Sequence, residues 1–226
     1  DRFVVLTKAD KEDWEKVRPD VEQIYNPLTF VSDEVSPLTG KRCVAVGRLE
    51  AQKNFKDLIK AWKTVDGRHP DWTLSIFGKG SQENELRNLI KDSGLAGKVI
   101  LEGGTSDIRK ELLDSSCLVM SSRYEGFPVV LLEALTTGLP IVSYDCPKGP
   151  SEIVTIGANG YLAKVGDTGT LAQGICSVIA NEDLRRRFGA ESKRRSENFT
   201  LEKTMERWDR LFSSLTTSRT RTSPEG

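Results

Sequence analysis

From about residue 41 onward, short apolar runs alternate with amphipathic stretches. Residues 43–46, 72–77, 99–101, 118–120, 141–144 and 160–163 are brief apolar or β-branched segments, several ending in glycine or serine. Runs of this kind suit strands buried on both faces of a parallel sheet. Between them the spacing turns helical. Phe55, Leu58, Ile59 and Trp62 fall on one face, as do Leu86, Leu89 and Ile90. Helices are therefore expected over residues 55–62, 82–92, 108–113, 128–136, 150–154, 170–179, 183–197 and 201–215. Alternation of this type predicts an α/β fold, a Rossmann-like parallel sheet with helices on both faces and right-handed crossovers.

Residues 1–40 follow the pattern less closely. Strands at 3–6 and 21–25 flank a helix at 11–17, and Asn26-Pro27-Leu28 and Ser36-Pro37-Leu38-Thr39-Gly40 read as turn and linker. Residues 216–226 have almost no apolar content and are expected to form a mobile tail. The division is 1–40, 41–215 and 216–226.

One polar residue breaks the pattern. Val129, Val130, Leu131, Leu132, Ala134 and Leu135 surround Glu133. A helix apolar on every side is a buried helix, and a carboxylate within it needs a partner. That partner is either a polar ligand or a buried Arg or Lys. Pro128 suits the first turn, and Thr137-Gly138 with Pro140 stops the helix. Its N-terminus, with unpaired amides and the positive end of the dipole, makes an anion site at the end of a strand. Glu125 sits at its mouth, as a hydroxyl acceptor or as an ordinary acid favouring the dipole. Gly47-Arg48 and Lys53 follow the strand at 43–46 and bring two cations to the same edge, a combination suited to a diphosphate. In such sheets ligands bind at the carboxyl ends of the strands.

Composition narrows the classes. The 226 residues carry 33 basic and 33 acidic side chains, so no bulk charge argues for nucleic acid. No apolar run approaches the ~20 residues of a membrane span. The chain opens on Asp1-Arg2-Phe3-Val4, which lacks the form of a signal peptide. Cys43, Cys117, Cys146 and Cys176 are far apart with no Cys-x-x-Cys pair, so neither disulfides nor a zinc site is expected, and a reducing, cytoplasmic setting follows. His69, the sole histidine, lies in a loop sequence and supplies no obvious base. Neither a Walker A loop nor a GxGxxG fingerprint is present around Gly78-Lys79-Gly80.

Strand-Gly47-Arg48-Leu49-x-x-x-Lys53, Phe77-Gly78-Lys79-Gly80, and Ser121-x-x-x-Glu125-Gly126-Phe127-Pro128-x-x-x-x-Glu133-Ala134-Leu135-x-x-Gly138-x-Pro140 together resemble the donor-binding domain of retaining GT-B glycosyltransferases of family 4, over residues 41–215. Residues 145–154 resemble a bacterial branch that builds surface polysaccharides and lipid-linked glycans. The resemblance implies a nucleoside diphosphate sugar, a UDP-sugar, as donor substrate, with no cofactor and no metal. Arg48 and Lys53 would bind the diphosphate and stabilise its growing charge. Glu125 would hold hydroxyls of the donor sugar, and the backbone around Gly126, Phe127, Pro128 and Val129 would face sugar and phosphates. Glu133 would accept both ribose hydroxyls. The base would sit beside Gly78 and the loop at 101–105, which includes Gly103, and Gly47 would allow close approach. Pro128 stands where many members have glycine, and Glu102 where an apolar residue is common. Residues 1–40 would be the end of an N-terminal acceptor domain plus linker. The fragment would bind donor with little transfer of its own, and any attachment to the inner membrane face would come from that other domain. A non-catalytic nucleotide-sugar sensor, or another nucleotide-sugar enzyme such as an epimerase or phosphorylase, are the competing readings.

Overall fold

Alternate residues along the central strands feed two separate hydrophobic layers. The computed structural model describes residues 2–220. Within the strand β3 (Arg42–Val46), Cys43 and Ala45 join one layer and Val44 the other. The same division holds in β4 (Thr73–Phe77), where Leu74 and Ile76 oppose Phe77, and in β6 (Cys117–Met120), where Cys117 and Val119 oppose Leu118 and Met120. With β5 (Val99–Gly103), β7 (Ile141–Tyr144) and β8 (Gly160–Ala163) these form one six-stranded sheet in the order β5-β4-β3-β6-β7-β8. Every pairing is parallel, which explains why the strands read as apolar runs rather than alternating ones.

The first layer is closed by α2 (Phe55–Arg68), α3 (Glu83–Asp92), α7 (Thr168–Ala180) and Phe188 of α8 (Glu182–Ser196). On α2, Phe55, Leu58, Ile59, Trp62 and Val65 are buried, the stripe expected from its periodicity. The second layer takes α4 (Ile108–Leu113), α5 (Val129–Thr136) and α6 (Pro150–Ile153). Caps fix several starts. Asp167 accepts from the Thr170 amide and Asn181 from the Leu184 amide.

The front of the chain makes its own small unit. Strands β1 (Phe3–Val5) and β2 (Val21–Gln23) pair in parallel around α1 (Lys8–Glu15), separate from the main sheet. The helix starts three residues before the expected 11 because Thr7 caps the Asp10 amide at 2.9 Å. Glu152 of α6 accepts from the Lys8 amide at 2.9 Å and from the Tyr25 hydroxyl at 2.6 Å, tying this unit to the main domain. Burial and Glu152 together push the Tyr25 phenol up.

At the other end α9 (Leu201–Thr220) continues past the expected stop at 215, because Ser, Thr and Arg cost a formed helix little per residue. The helix takes in residues 216–220 of the expected tail, and residues 221–226 lie outside the described ones. The four cysteines are free and buried. Among the described residues no helix is long and apolar enough to cross a membrane.

Candidate functional site

The strand order turns around between β3 and β6, which lie side by side while their successors run outward in opposite directions. A crevice opens at such a switch beyond the carboxyl ends of the strands. The loops that leave β3 and β6 meet there and are stitched together. Ser121 Oγ donates to the Lys53 carbonyl at 2.8 Å, the Arg123 amide to the Gln52 carbonyl at 2.8 Å, and Gln52 Nε2 to the Tyr124 carbonyl at 2.9 Å. Inside this seam Lys53 Nζ lies 2.6 Å from Glu125 Oε1, with the two side chains only 17% and 9% exposed. Along the chain these two residues carry separate expectations, whereas the fold makes them a pair. Arg48 stays exposed, its guanidinium 3.5 Å from Gln52 Oε1.

Pro128 takes the cap position of α5 rather than its first turn, and the helix begins at Val129. The missing proline amide therefore costs the helix nothing, and the amides of Val129 and Val130 have no acceptor within it. Gly126 is exposed, but the Phe127 side chain is not at the ligand surface. It is buried, stacked on Tyr25 at 5.0 Å between ring centres and near Phe199 at 5.9 Å. Phe127 thus anchors the loop and offers only backbone to a ligand. Behind the loop, burial and the charge of Glu125 push the Cys146 thiol up to about 12.

Glu133 is half-buried rather than enclosed, so the helix is not apolar on every side. Glu133 lines a cavity of about 350 Å³ whose walls also include Gly47, Phe77, Gly78, Gly104 and Thr105. No ion pair reaches it among the described residues, which removes the buried Arg or Lys alternative. Burial raises its pKa, and a hydrogen bond from Thr29 Oγ1 to Oε1 at 2.7 Å acts the other way. Gly78 donates its amide to the Gly103 carbonyl at 2.7 Å, which closes the far wall. Glu102 accepts from the Ser75 hydroxyl at 2.8 Å and does not line the cavity. Larger cavities of about 490 and 500 Å³ lie away from this edge, one between α1, β2 and α9 and the other between the linker and α8.

A Cβ on Gly78 would stand 1.8 Å from the Gly47 carbonyl oxygen, with φ at +154°. Gly78→Ala is therefore expected to cost about 4 kcal/mol or more. Thermal unfolding of the variant measures this, and an unchanged midpoint would contradict the close approach.

The structure brings Gly47, Arg48, Lys53, Gly78, Gly103, Glu125, Gly126, Pro128, Val129 and Glu133 to one sheet edge. Thr29 is the neighbour that the sequence does not announce. It sits in a bend between Leu28 and Phe30, 104 residues from Glu133, and no local pattern connects the two. Among the described residues no group of three or more His, Cys, Asp or Glu side chains is placed to hold a metal.

The profile of the family Glycosyl transferases group 1 matches residues 30–195. An uncharacterized glycosyltransferase of Haemophilus influenzae is 33% identical over 211 residues, 92% of this chain and 60% of that protein. The amylovoran biosynthesis glycosyltransferase AmsD of Erwinia amylovora is 32% identical over 180 residues, 80% of this chain and 50% of that protein. The chain thus spans 60% or less of these relatives. Among solved structures, a point mutant of S. aureus TarM, in complex with fondaparinux, alpha-GlcNAc-glycerol and UDP, superposes with a TM-score of 0.87 at 26% identity, covering 93% of this chain and 43% of that one. The sheet is the Rossmann-like half of a GT-B fold, and the chain belongs to the group 1 glycosyl transferases.

Proposed function

We propose that this chain is the donor half of a retaining glycosyltransferase, binding a UDP-sugar whose hexosyl group passes to a glycan or lipid-linked acceptor held by a further, N-terminal domain. The carrying observation is Glu133, a carboxylate without a cationic partner among the described residues, lining a cavity on the edge that also holds Lys53 and Arg48. A ribose diol supplies two donors that such a carboxylate can accept. The diphosphate then falls toward the Lys53–Glu125 seam and the open amides at the start of α5.

Cleavage of the glycosidic bond leaves negative charge on the nucleoside diphosphate. Fixed positive charge aimed at that group lowers the barrier without proton transfer. Lys53 and Arg48 carry that charge in this reading, and no metal bridge enters it. Glu125 holds Lys53 Nζ in place and accepts sugar hydroxyls with its remaining lone pairs. A carboxylate already committed to a cation makes a poor nucleophile, which is why Glu125 is read as a binding group. TarM was solved with UDP, which supports the base, and the name of AmsD supports a polysaccharide product.

Calorimetric titration of the chain with UDP, GDP and ADP tests the reading. UDP is expected to bind most tightly, and failure of all three to bind would remove the donor site. Transfer from a UDP-hexose by the chain alone is expected to be negligible. Turnover at an ordinary enzyme rate, about 10 per second, would contradict the need for a second domain.

A further inference from the structure

The linker between β2 and β3 reaches Glu133 through Thr29 and is held on both sides of that contact. The Leu28 amide donates to the Phe199 carbonyl at 2.8 Å, and the Ser32 amide donates to the Thr136 hydroxyl at 3.0 Å. Further along, the Ser36 amide donates to the Thr137 carbonyl at 2.9 Å. Lys193 Nζ bridges the carbonyls of Ser32 and Thr136. Linker and α5 are therefore one piece. Between the anchors, Thr29 is exposed, yet its hydroxyl is committed to Glu133 Oε1 at 2.7 Å.

The geometry points to Thr29 as a positioning residue that fixes the orientation of the Glu133 carboxylate for a ribose diol, an inference that rests on the donor-site reading above. An ionised carboxylate has about four lone-pair sites. Thr29 occupies one on Oε1 and leaves the rest for the two ribose hydroxyls. Without it the side chain would have several rotamers to choose among, and binding would have to select one.

A second effect follows from the same bond. Accepting from both ribose hydroxyls is strongest in the ionised form, because protonation turns one acceptor site into a donor and removes the charge. Burial favours the protonated form of Glu133, and the Thr29 hydroxyl opposes it. The remaining walls present Val46, Phe77, Thr105, Ile108 and backbone, with no titratable group among them. Among the described residues the Thr29 hydroxyl is the one side-chain group hydrogen-bonded to the Glu133 carboxylate, and it favours the ionised form.

The test is calorimetry with UDP from about pH 5 to about pH 8, on the wild-type chain, Thr29→Val, Thr29→Ser, Glu133→Gln, and Glu133→Gln with Thr29→Val. Valine is expected to weaken UDP about tenfold near neutral pH, the size of one lost bond to a charged group. It should also move the acid-side loss of affinity to higher pH. Serine should restore affinity to within about threefold and return the profile. In the Glu133→Gln background valine should add no further loss, since the bond it removes acts through the carboxylate. The phosphate of UDP titrates in every variant alike, so only the difference between profiles counts. Thermal unfolding run alongside separates this from a mere tether. A lowered midpoint with an unchanged pH profile and affinity would overturn the positioning role. So would full affinity in Thr29→Val while the wild type binds normally, and the donor site would still stand. No binding by the wild type would sink both.

Discussion

Replacing Glu133 with alanine is expected to weaken UDP binding about a hundredfold, read by calorimetry at neutral pH. Hydrogen bonds to a charged group contribute about 1.5–3 kcal/mol each, and water recovers part of the loss. A net change of about 3 kcal/mol corresponds to that factor. The same substitution should leave the fold intact. The folded protein raises the pKa of Glu133 by burial, so it binds that proton more tightly than the unfolded chain does. Stability from this group is therefore greatest at acid pH. It falls as pH climbs from the unfolded pKa through the folded one, and is level above that. Alanine removes this dependence, so its unfolding midpoint at neutral pH should equal or exceed the wild type's. An unchanged dissociation constant for UDP would remove Glu133 from the site.

Lys53→Met should act on stability and on chemistry separately. Glu125 would be left without its cation in a place where its side chain is only 9% exposed. Breaking such a pair from one side costs about 3 kcal/mol, whereas replacing both members by apolar groups is often close to neutral. The single variant should therefore melt several degrees lower, and Lys53→Met with Glu125→Leu should recover most of the loss. In a complete two-domain enzyme the single variant should also lose roughly 10²–10³ in kcat, as for loss of one preorganised charge contact. That second loss should persist or deepen in the double variant, which restores the packing but neither the charge nor the carboxylate read as holding the sugar hydroxyls. A double variant with wild-type turnover would show that Lys53 serves only the fold.

These two residues mark how far the sequence can be read. Glu133 stands out because one carboxylate interrupts an apolar helix, and a local pattern suffices to see that. The strands of the main sheet are equally plain, since burial on both faces leaves an uninterrupted apolar run. The Lys53–Glu125 pair is not legible, because it depends on β3 and β6 becoming neighbours, and periodicity carries no strand order. Each residue is visible singly, and their partnership comes from topology. Thr29 leaves no trace at all. A threonine after Asn-Pro-Leu reads as turn chemistry, and its meaning lies in a helix 104 residues away. Boundaries move for similar reasons. The start of α1 is set by the Thr7 hydroxyl and the Glu152 carboxylate, one local and one distant.

The stitching of the β3 and β6 loops by Ser121, Arg123 and Gln52 bears on how a nucleotide would arrive. A mouth already assembled from two strand ends has little chain freedom left to surrender. Association then need not carry the entropy of ordering those segments, and its penalty shrinks to that of the incoming molecule. Hydrogen exchange at the seam should accordingly be slow even before any nucleotide is added, with occupancy changing it little.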